Sequence, residues 1–436
     1  MPDDDDDTGA PEPWDRATEA VPAEDPGGEV TQSVPGDVTQ AIPPTTPPTA
    51  TTPLAAGGAL GVGGATPAHA VSRPARPNSQ RALIIAVVVA AVLVVGAGIA
   101  LAVTGGTTPK KAAGGTPNIP ATTAGAPAGP TCPLTGVATT GASVPQRPAL
   151  AVKVDNYPQA RPQSGIDQAD IVFEEPVEGG ITRLVAVFQC QSPALIGPIR
   201  SARAVDVQIL DQLSRPILIH AGGINPVLDL LQNANLIDDN VFAHGSIVQN
   251  PPGRYAPYDT YVSAAAAWGL DPTDTTPPKP LFTYSPTTPA GTPVTSIHIP
   301  FTGTNNTLWT WNAARGRWLL SYSGVPAMDA DGAQIATTNI VVQTVHVTYG
   351  PWLENNVGGL EVQSQMTGSG PVTVLRDGVA ITGTWQRPSV NDPTTLTASD
   401  GSTIALQPGQ TWVEIVPSTV SVTTTSPTAS STTTHP

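Results

Sequence analysis

Apolar positions fall into two patterns along this chain. The first is a single unbroken run, "ALIIAVVVAAVLVVGAGIALAV", Ala82 to Val103, 22 residues without a charge. At 1.5 Å per residue it reaches about 33 Å, enough for a bilayer core of about 30 Å. It predicts one transmembrane helix over residues 81–104. It starts too late and runs too long for a cleaved signal peptide.

The second pattern is a series of short runs beyond residue 132. "PALAVKVDN" (Pro148–Asn156), "ADIVFEE" (Ala169–Glu175) and "ITRLVAVFQ" (Ile181–Gln189) are apolar with polar ends. They hardly alternate, so they read as strands buried on both faces. "VEGG" (Val177–Gly180) between the last two marks a hairpin. Val205, Ile209 and Leu213 make one helical stripe, with Ser201 as cap of a helix from Ala202. "RPILIHAGG" (Arg215–Gly223) reads as a fourth strand, "NPVLDLLQNA" as a helix capped by Asn225 with Pro226 first, and "SAAAAWG" as a third short helix. Past "PTDTTPPKP" the runs become β-type, with Asp377-Gly378 and Asp400-Gly401 as hairpin turns.

The predicted fold class is therefore α+β. A mixed α/β N-terminal lobe (132–270) is followed by a linker (271–294) and an antiparallel β-rich C-terminal lobe (295–417). An acidic disordered tail (1–80), the membrane helix and a flexible linker (105–131) precede them. A disordered tail (418–436) follows.

Composition supports that division. Of 436 residues, 49 are Pro and 42 Gly, and the first 130 residues hold much of both. Such segments cannot bury enough apolar surface to offset the entropy of ordering. The net charge is −15 and the isoelectric point about 4.6, which argues against nucleic acid as a partner. An anion site would have to be a local arrangement of arginines. Arg73, Arg76 and Arg81 before the helix outweigh Lys110 and Lys111 after it, favouring a cytoplasmic N-terminus. The only two cysteines, Cys132 and Cys190, lie on the C-terminal side; an even pair in an exported chain points to a disulfide.

The tail holds a repeat, "EVTQSVP" from Glu29 and "DVTQAIP" from Asp37. Each places an acid two residues before a threonine and an aliphatic residue three after it. Phosphorylated Thr31 or Thr39 would resemble a ligand of a phosphothreonine-reading, forkhead-associated domain. Coincidental spacing in a low-complexity tail is the alternative.

The stretch "RPALAVKVDNYPQARPQSGIDQADIVFEEPVEGGITRLVAVFQ", followed by "IGPIRSARAVD" and "HAGG", closely resembles the YerB-like family, described as bacterial lipoproteins and as a domain of unknown function. The resemblance covers Cys132 to about Pro417. Family members carry a lipid on a cysteine at a signal-peptide cleavage site; here Cys132 lies well past the membrane helix, so a protein anchor takes the place of the lipid. An "APHN"-like family segment reads "APYD" here, Ala256–Asp259, which removes a histidine that could do acid–base or metal work. The resemblance transfers no activity.

Candidate chemistry lies among the polar residues at strand ends. Arg161, Arg183, Arg200 and Arg203, with the Ser201 backbone at a helix start, could hold a carboxylate or phosphate. Glu174, Glu178 and Asp170 could pair as acid and base on a glycosidic bond, although alternation sends Glu174 and Glu175 to opposite faces. Salt bridges between these acids and the arginines are the competing reading. His220 joins the set as a strand-end polar group. Absence of a metal-ligand spacing, a GxSxG or a phosphate-cradling glycine motif leaves no metal, nucleophile or cofactor to assign. Trp309, Trp311, Trp318, Trp385 and Trp412 could stack sugars or fill a core. The leading expectation is a single-pass envelope protein that binds an envelope polymer fragment or envelope protein through an Arg/carboxylate crevice, without catalysis. The alternatives are a wall hydrolase using a carboxylate pair and a scaffold joining a phosphorylated tail to the envelope.

Overall fold

A computed structural model describes residues 129–427 apart from 142, 303–304 and 355–357. The membrane helix expected over 81–104, Thr31, Thr39 and the tail lie outside the described residues, as does nearly all of the 105–131 linker. Among the described residues no helix is long and apolar enough to cross a membrane.

Strands dominate. The first half contributes β1 (Leu150–Asp155), β2 (Ile171–Val177), β3 (Ile181–Phe188), β4 (Ile217–His220) and β5 (Ile237–Asn240). The second half continues with β6 (Thr292–Pro293), β7 (Ser296–Pro300), β8 (Asn306–Asn312), β9 (Arg317–Tyr322), β10 (Val325–Pro326), β11 (Ala336–Thr337) and β12 (Asn339–Val345). Then come β13 (Val347–Leu353), β14 (Leu360–Ser364), β15 (Gly368–Arg376), β16 (Val379–Arg387), β17 (Thr395–Ala398), β18 (Thr411–Pro417) and β19 (Thr423–Thr425). Helices are few and short: α1 (Val205–Leu210), α2 (Asn225–Asn233) and α3 (Ala264–Trp268).

Eleven strands form one sheet in the order β17-β16-β15-β12-β18-β2-β3-β1-β4-β5, with β6 added beside β16. This corrects the expectation of an antiparallel C-terminal lobe standing after an α/β lobe. Strand β18 runs parallel to both β12 and β2, so sequence from both halves is built into one sheet. The physical reason lies in the side chains. Strands β2, β12 and β18 are buried on both faces along nearly their whole length, so none of them can serve as a solvated edge. A second sheet, β10-β9-β8-β7-β19 with β11 on β9, covers one face. Thr423–Thr425, expected within the C-terminal tail, pair there with Ser296–His298. The hairpin β13–β14 stands apart from both sheets.

Two cores follow from the two faces. Val152, Val154, Val172 and Trp412 pack against Trp309, Trp318 and Leu320 of the second sheet. Ala151, Phe173, Val185 and Val187, on the other face, pack against α1 and α2 through Val205, Ile209, Val227 and Leu231. Trp309, Trp318, Trp385 and Trp412 are buried, and Trp309 meets Trp412 edge-on at 5.2 Å. Trp311 is half-buried and packs on Trp318 at 5.1 Å, so the five tryptophans serve cores and core margins and do not form an open sugar platform.

Turn chemistry was legible. Gly179 and Gly180 adopt positive φ between β2 and β3, and Asp377-Gly378 does so between β15 and β16. Helix starts shift. Ser201 does not cap α1, which begins at Val205. The backbone before it is already spoken for: Arg200 N–H donates to Lys153 O at 2.9 Å and Ala202 N–H to Gly222 O at 2.9 Å. The Ser201 hydroxyl donates to Ala221 O at 3.0 Å instead. Asn225 is the first residue of α2, with Ile224 as its cap. The expected short helix 263–269 forms as α3, with Ser263 as its cap accepting from Ala266 N–H at 3.2 Å.

Cys132 and Cys190 form a disulfide, their Cα atoms 6.0 Å apart across 58 positions. It ties the segment entering the fold to the end of β3. Closing a loop of this length contributes about 4 kcal/mol in the chain-entropy view. The double variant Cys132→Ser/Cys190→Ser is expected to lose roughly that much stability in urea unfolding, with the denaturant slope read alongside to detect changes in the unfolded chain.

Candidate functional site: an arginine and carboxylate cleft

Strand register builds the site. In β1 and β3, Asp155 sits opposite Arg183, and in β2 and β3, Glu175 sits opposite the same Arg183. Period-two alternation puts Lys153, Asp155, Glu175 and Arg183 on the face that carries α1 and α2. Lys153 and Glu175 are fully buried and bonded to each other, and Lys153 Nζ lies 2.6 Å from Asp206 Oδ1 of α1. A buried ammonium group is tolerated only with such partners.

From this buried triad the charges step outward. Asp206 Oδ2 accepts from the Arg203 backbone at 2.8 Å. Arg203 Nε donates to Glu178 Oε2 at 2.8 Å, and its NH2 also meets Glu178. Arg183 reaches Glu178 at 3.4 Å and donates to Ser201 O at 3.0 Å. Arg203 lies 3.2 Å from Glu354 on the β13–β14 hairpin. Arg200, a third exposed, has Nε 2.8 Å from Asp155 Oδ2, off the N–H axis, so this contact is ionic rather than a directed hydrogen bond. Asp155, Tyr157, Glu178, Arg183, Arg200, Ser201, Arg203, Tyr258 and Glu354 line one open cleft of about 510 Å³.

Five of the nine sequence-predicted residues thus meet: Glu178, Arg183, Arg200, Ser201 and Arg203. The other four are elsewhere. Arg161 stacks 3.8 Å from the Tyr322 ring and donates to Asn156 Oδ1 at 3.1 Å, on the face covered by the second sheet. Glu174 is buried on that same face, accepting from Thr182 at 2.7 Å, Tyr322 at 2.9 Å, and Asn156 and Trp412 at 3.2 Å. Asp170 accepts the backbone N–H of Gln189 at 2.6 Å and of Cys190 at 3.1 Å, beside the disulfide. His220 is buried between Gly222 O at 2.8 Å and Asp238 at 2.7 Å. The carboxylates suggested as an acid–base pair are therefore split: Glu174 faces one core, Glu178 lines the cleft, and Asp170 braces the far end of β3. The helix start expected at Ala202 is also corrected, because α1 has only six residues and begins at Val205, and the N–H groups of Arg200, Ala202 and Arg203 before it are occupied.

Electrostatics follow the pairing. Burial pushes the Glu178 carboxyl up, but the Arg203 hydrogen bond and the charges of Arg183 and Arg203 pull it down to about 2. Burial lowers the Arg183 guanidinium to about 10, with Arg203 adding to the fall. Burial raises Glu175 to about 7 against the pull of Lys153. Glu361 rises to about 9 through burial and its hydrogen bond with Glu354. Among the described residues, Glu354 Oε1 and Glu361 Oε2 meet no N–H or O–H donor of another residue, as two carboxyl groups sharing one proton would. Glu361 also accepts Ala204 N–H at 2.9 Å, so this pair seats the hairpin on the start of α1.

Sequence reasoning placed Asp155 among the strand-end polar groups but missed Tyr157, Tyr258 and Glu354. Tyr258 had a signal, since it stands in "APYD" where the family pattern carries histidine. Glu354 had none, because only the folded hairpin brings it beside Arg203.

Two family models match the chain. The N-terminal domain of a protein of unknown function, DUF3048, matches residues 134–274, and its C-terminal domain matches residues 297–413. A Bacillus subtilis protein named "Putative lipoprotein YerB" is 31% identical over 298 residues, 65% of this chain and 86% of that protein. The crystal structure of YerB from Bacillus subtilis superposes with a TM-score of 0.58 at 26% identity, covering 67% of this chain and 99% of that one.

The shared proton generates a prediction. An unfolded glutamate titrates near pH 4.3, whereas Glu361 holds its proton to about 9 in the fold. Between about pH 4.5 and 9 the native state binds more protons than the unfolded one, so this group's contribution to stability falls as pH rises. Glu361→Gln removes that loss. Its urea midpoint should gain on the wild type steadily from about pH 5 to about pH 9; an offset that does not change with pH contradicts the shared proton.

Proposed function

We propose, since the chain belongs to the DUF3048 family of YerB-like proteins of unknown function, that it is a membrane-anchored cell-envelope protein whose exported region binds an envelope ligand in the Arg183–Arg200 cleft. On this reading the apolar run Ala82–Val103 is the anchor, with the N-terminal tail in the cytoplasm. The relative's description as a lipoprotein supports a membrane-attached envelope protein. The Cys132–Cys190 disulfide supports an oxidising compartment for this region. In the cytoplasm Thr31 and Thr39 offer docking points for a phosphothreonine-reading partner; phosphopeptide mapping that finds both unmodified in every growth phase would remove that part.

One observation carries the binding reading. Arg183 lines the cleft with only 6% of its side chain exposed, yet its Nε meets no hydrogen-bond partner among the described residues. An unsatisfied buried donor costs roughly 1–3 kcal/mol. A ligand that draws the Arg183 side chain toward the cleft would relieve that cost, and Arg200 beside it, a third exposed, supplies accessible donors.

The test uses muramidase-solubilised wall fragments and calorimetric titration of the detergent-solubilised full chain. Arg200→Ala should abolish the binding heat while the unfolding midpoint stays near that of the wild type. Arg183→Lys keeps the charge but deletes the Nε donor, and should weaken binding about tenfold, the size of one charge-assisted hydrogen bond. Unchanged affinity in both variants rejects the cleft as the binding site.

A further inference from the structure

We infer that the ligand of this cleft is a neutral glycan, stacked on Tyr157 and Tyr258 and hydrogen-bonded through its hydroxyls to the ion-paired side chains below. This rests on the cleft-binding reading above and narrows it to a chemical class.

Charge comes first. The cations of the cluster are Lys153, Arg183, Arg200 and Arg203, and each has a carboxylate within 3.4 Å. Asp155, Glu175, Glu178, Asp206 and Glu354 already answer them. No cation is left in surplus, so the cleft holds no field that would concentrate a polyanion. Ion-paired planar groups instead present N–H donors and carboxylate acceptors side by side. Neighbouring sugar hydroxyls, each both donor and acceptor, match that alternation.

The rim is aromatic. Tyr157 and Tyr258 line the cleft, and the Arg200 guanidinium lies 6.0 Å from the Tyr258 ring centre. Two further aromatic rings stand in the neighbouring loops: Phe242, 75% exposed, packs over Gly222 beside Gly223 of the cleft wall, and Tyr255, 79% exposed, lies three residues before Tyr258. The half-buried rings of Tyr157 and Tyr258 beside a polar floor suit a ligand with apolar C–H faces and a hydroxyl perimeter. A volume of about 510 Å³ falls within the usual range for small-ligand sites.

Calorimetry on the detergent-solubilised full chain with three separate probes tests this: a neutral N-acetylglucosamine pentamer, a poly(glycerol phosphate) and a synthetic wall stem peptide. Hydrogen-exchange mass spectrometry locates each site. The pentamer should bind, protect segments 155–158 and 255–259, and lose roughly three- to tenfold in affinity in Tyr258→Ala, the scale of one aromatic contact. Tyr258→Phe should bind like the wild type, which separates stacking from the hydroxyl. Binding of the polyanion or the peptide at these segments without the pentamer overturns the glycan inference but leaves the cleft as a ligand site. Failure of all three to protect the cleft overturns both. Pentamer binding that Tyr258→Ala leaves unchanged overturns the stacking arrangement.

Discussion

A charge taken out of water needs an opposite charge or several hydrogen bonds around it. Strand β2 imposes that demand on both sides of the sheet at once. Glu174 and Glu175 are adjacent in sequence, both fully buried, and point to opposite faces. Each had to be enclosed by its own set of partners, and those two sets organise the layers around them. Glu174 is held by Tyr322 of the second sheet and by Trp412 of the neighbouring strand β18, so satisfying one carboxylate ties β9 over the face of the main sheet that carries Trp412. Glu175 is held by Lys153, and through Lys153 by Asp206, which fixes α1 over the other face.

The cleft is the outward end of the second set. Once Asp206 accepts the Arg203 backbone, that guanidinium is directed toward Glu178, and Glu178 also draws in Arg183. Charges pass from a fully buried lysine to Arg200, a third exposed, and each of these cations meets a carboxylate. Such a network costs desolvation free energy that well-packed apolar side chains would not. What it retains is a polar concave surface held against a sheet.

Much of this was legible in the sequence, for identifiable reasons. Apolar runs without alternation in β1, β2 and β3 reported burial on two faces, and the turns at Gly179-Gly180 and Asp377-Gly378 reported their own backbone demands. The cysteine pair was readable from its count. Polar residues at strand ends pointed to a crevice, and five of nine candidates reached it. The rest depended on which face each strand end presents, which a linear pattern gives only relative to its neighbours. Arg161 and Glu174 went to the second-sheet side because β9 supplies Tyr322 there, some 150 positions later in the chain. The shared sheet was hidden for the same reason. Parallel pairing of β18 with β2 joins residues about 240 positions apart, and no local signal records it. The start of α1 was misplaced because Ser201 has good capping chemistry, while the hydrogen bonds that extend residues 200–202 come from β1 and from Gly222.

The account's central claim is that the cleft wall is one coupled charge network, with Glu178 and Arg203 at its junction. A double-mutant cycle with Glu178→Gln and Arg203→Met, read by urea unfolding, measures that coupling without assuming any ligand. The network predicts that the double variant is destabilised less than the two single variants summed, by about 1–3 kcal/mol. Single effects that add to within about 0.5 kcal/mol would show the two groups acting independently and would contradict it.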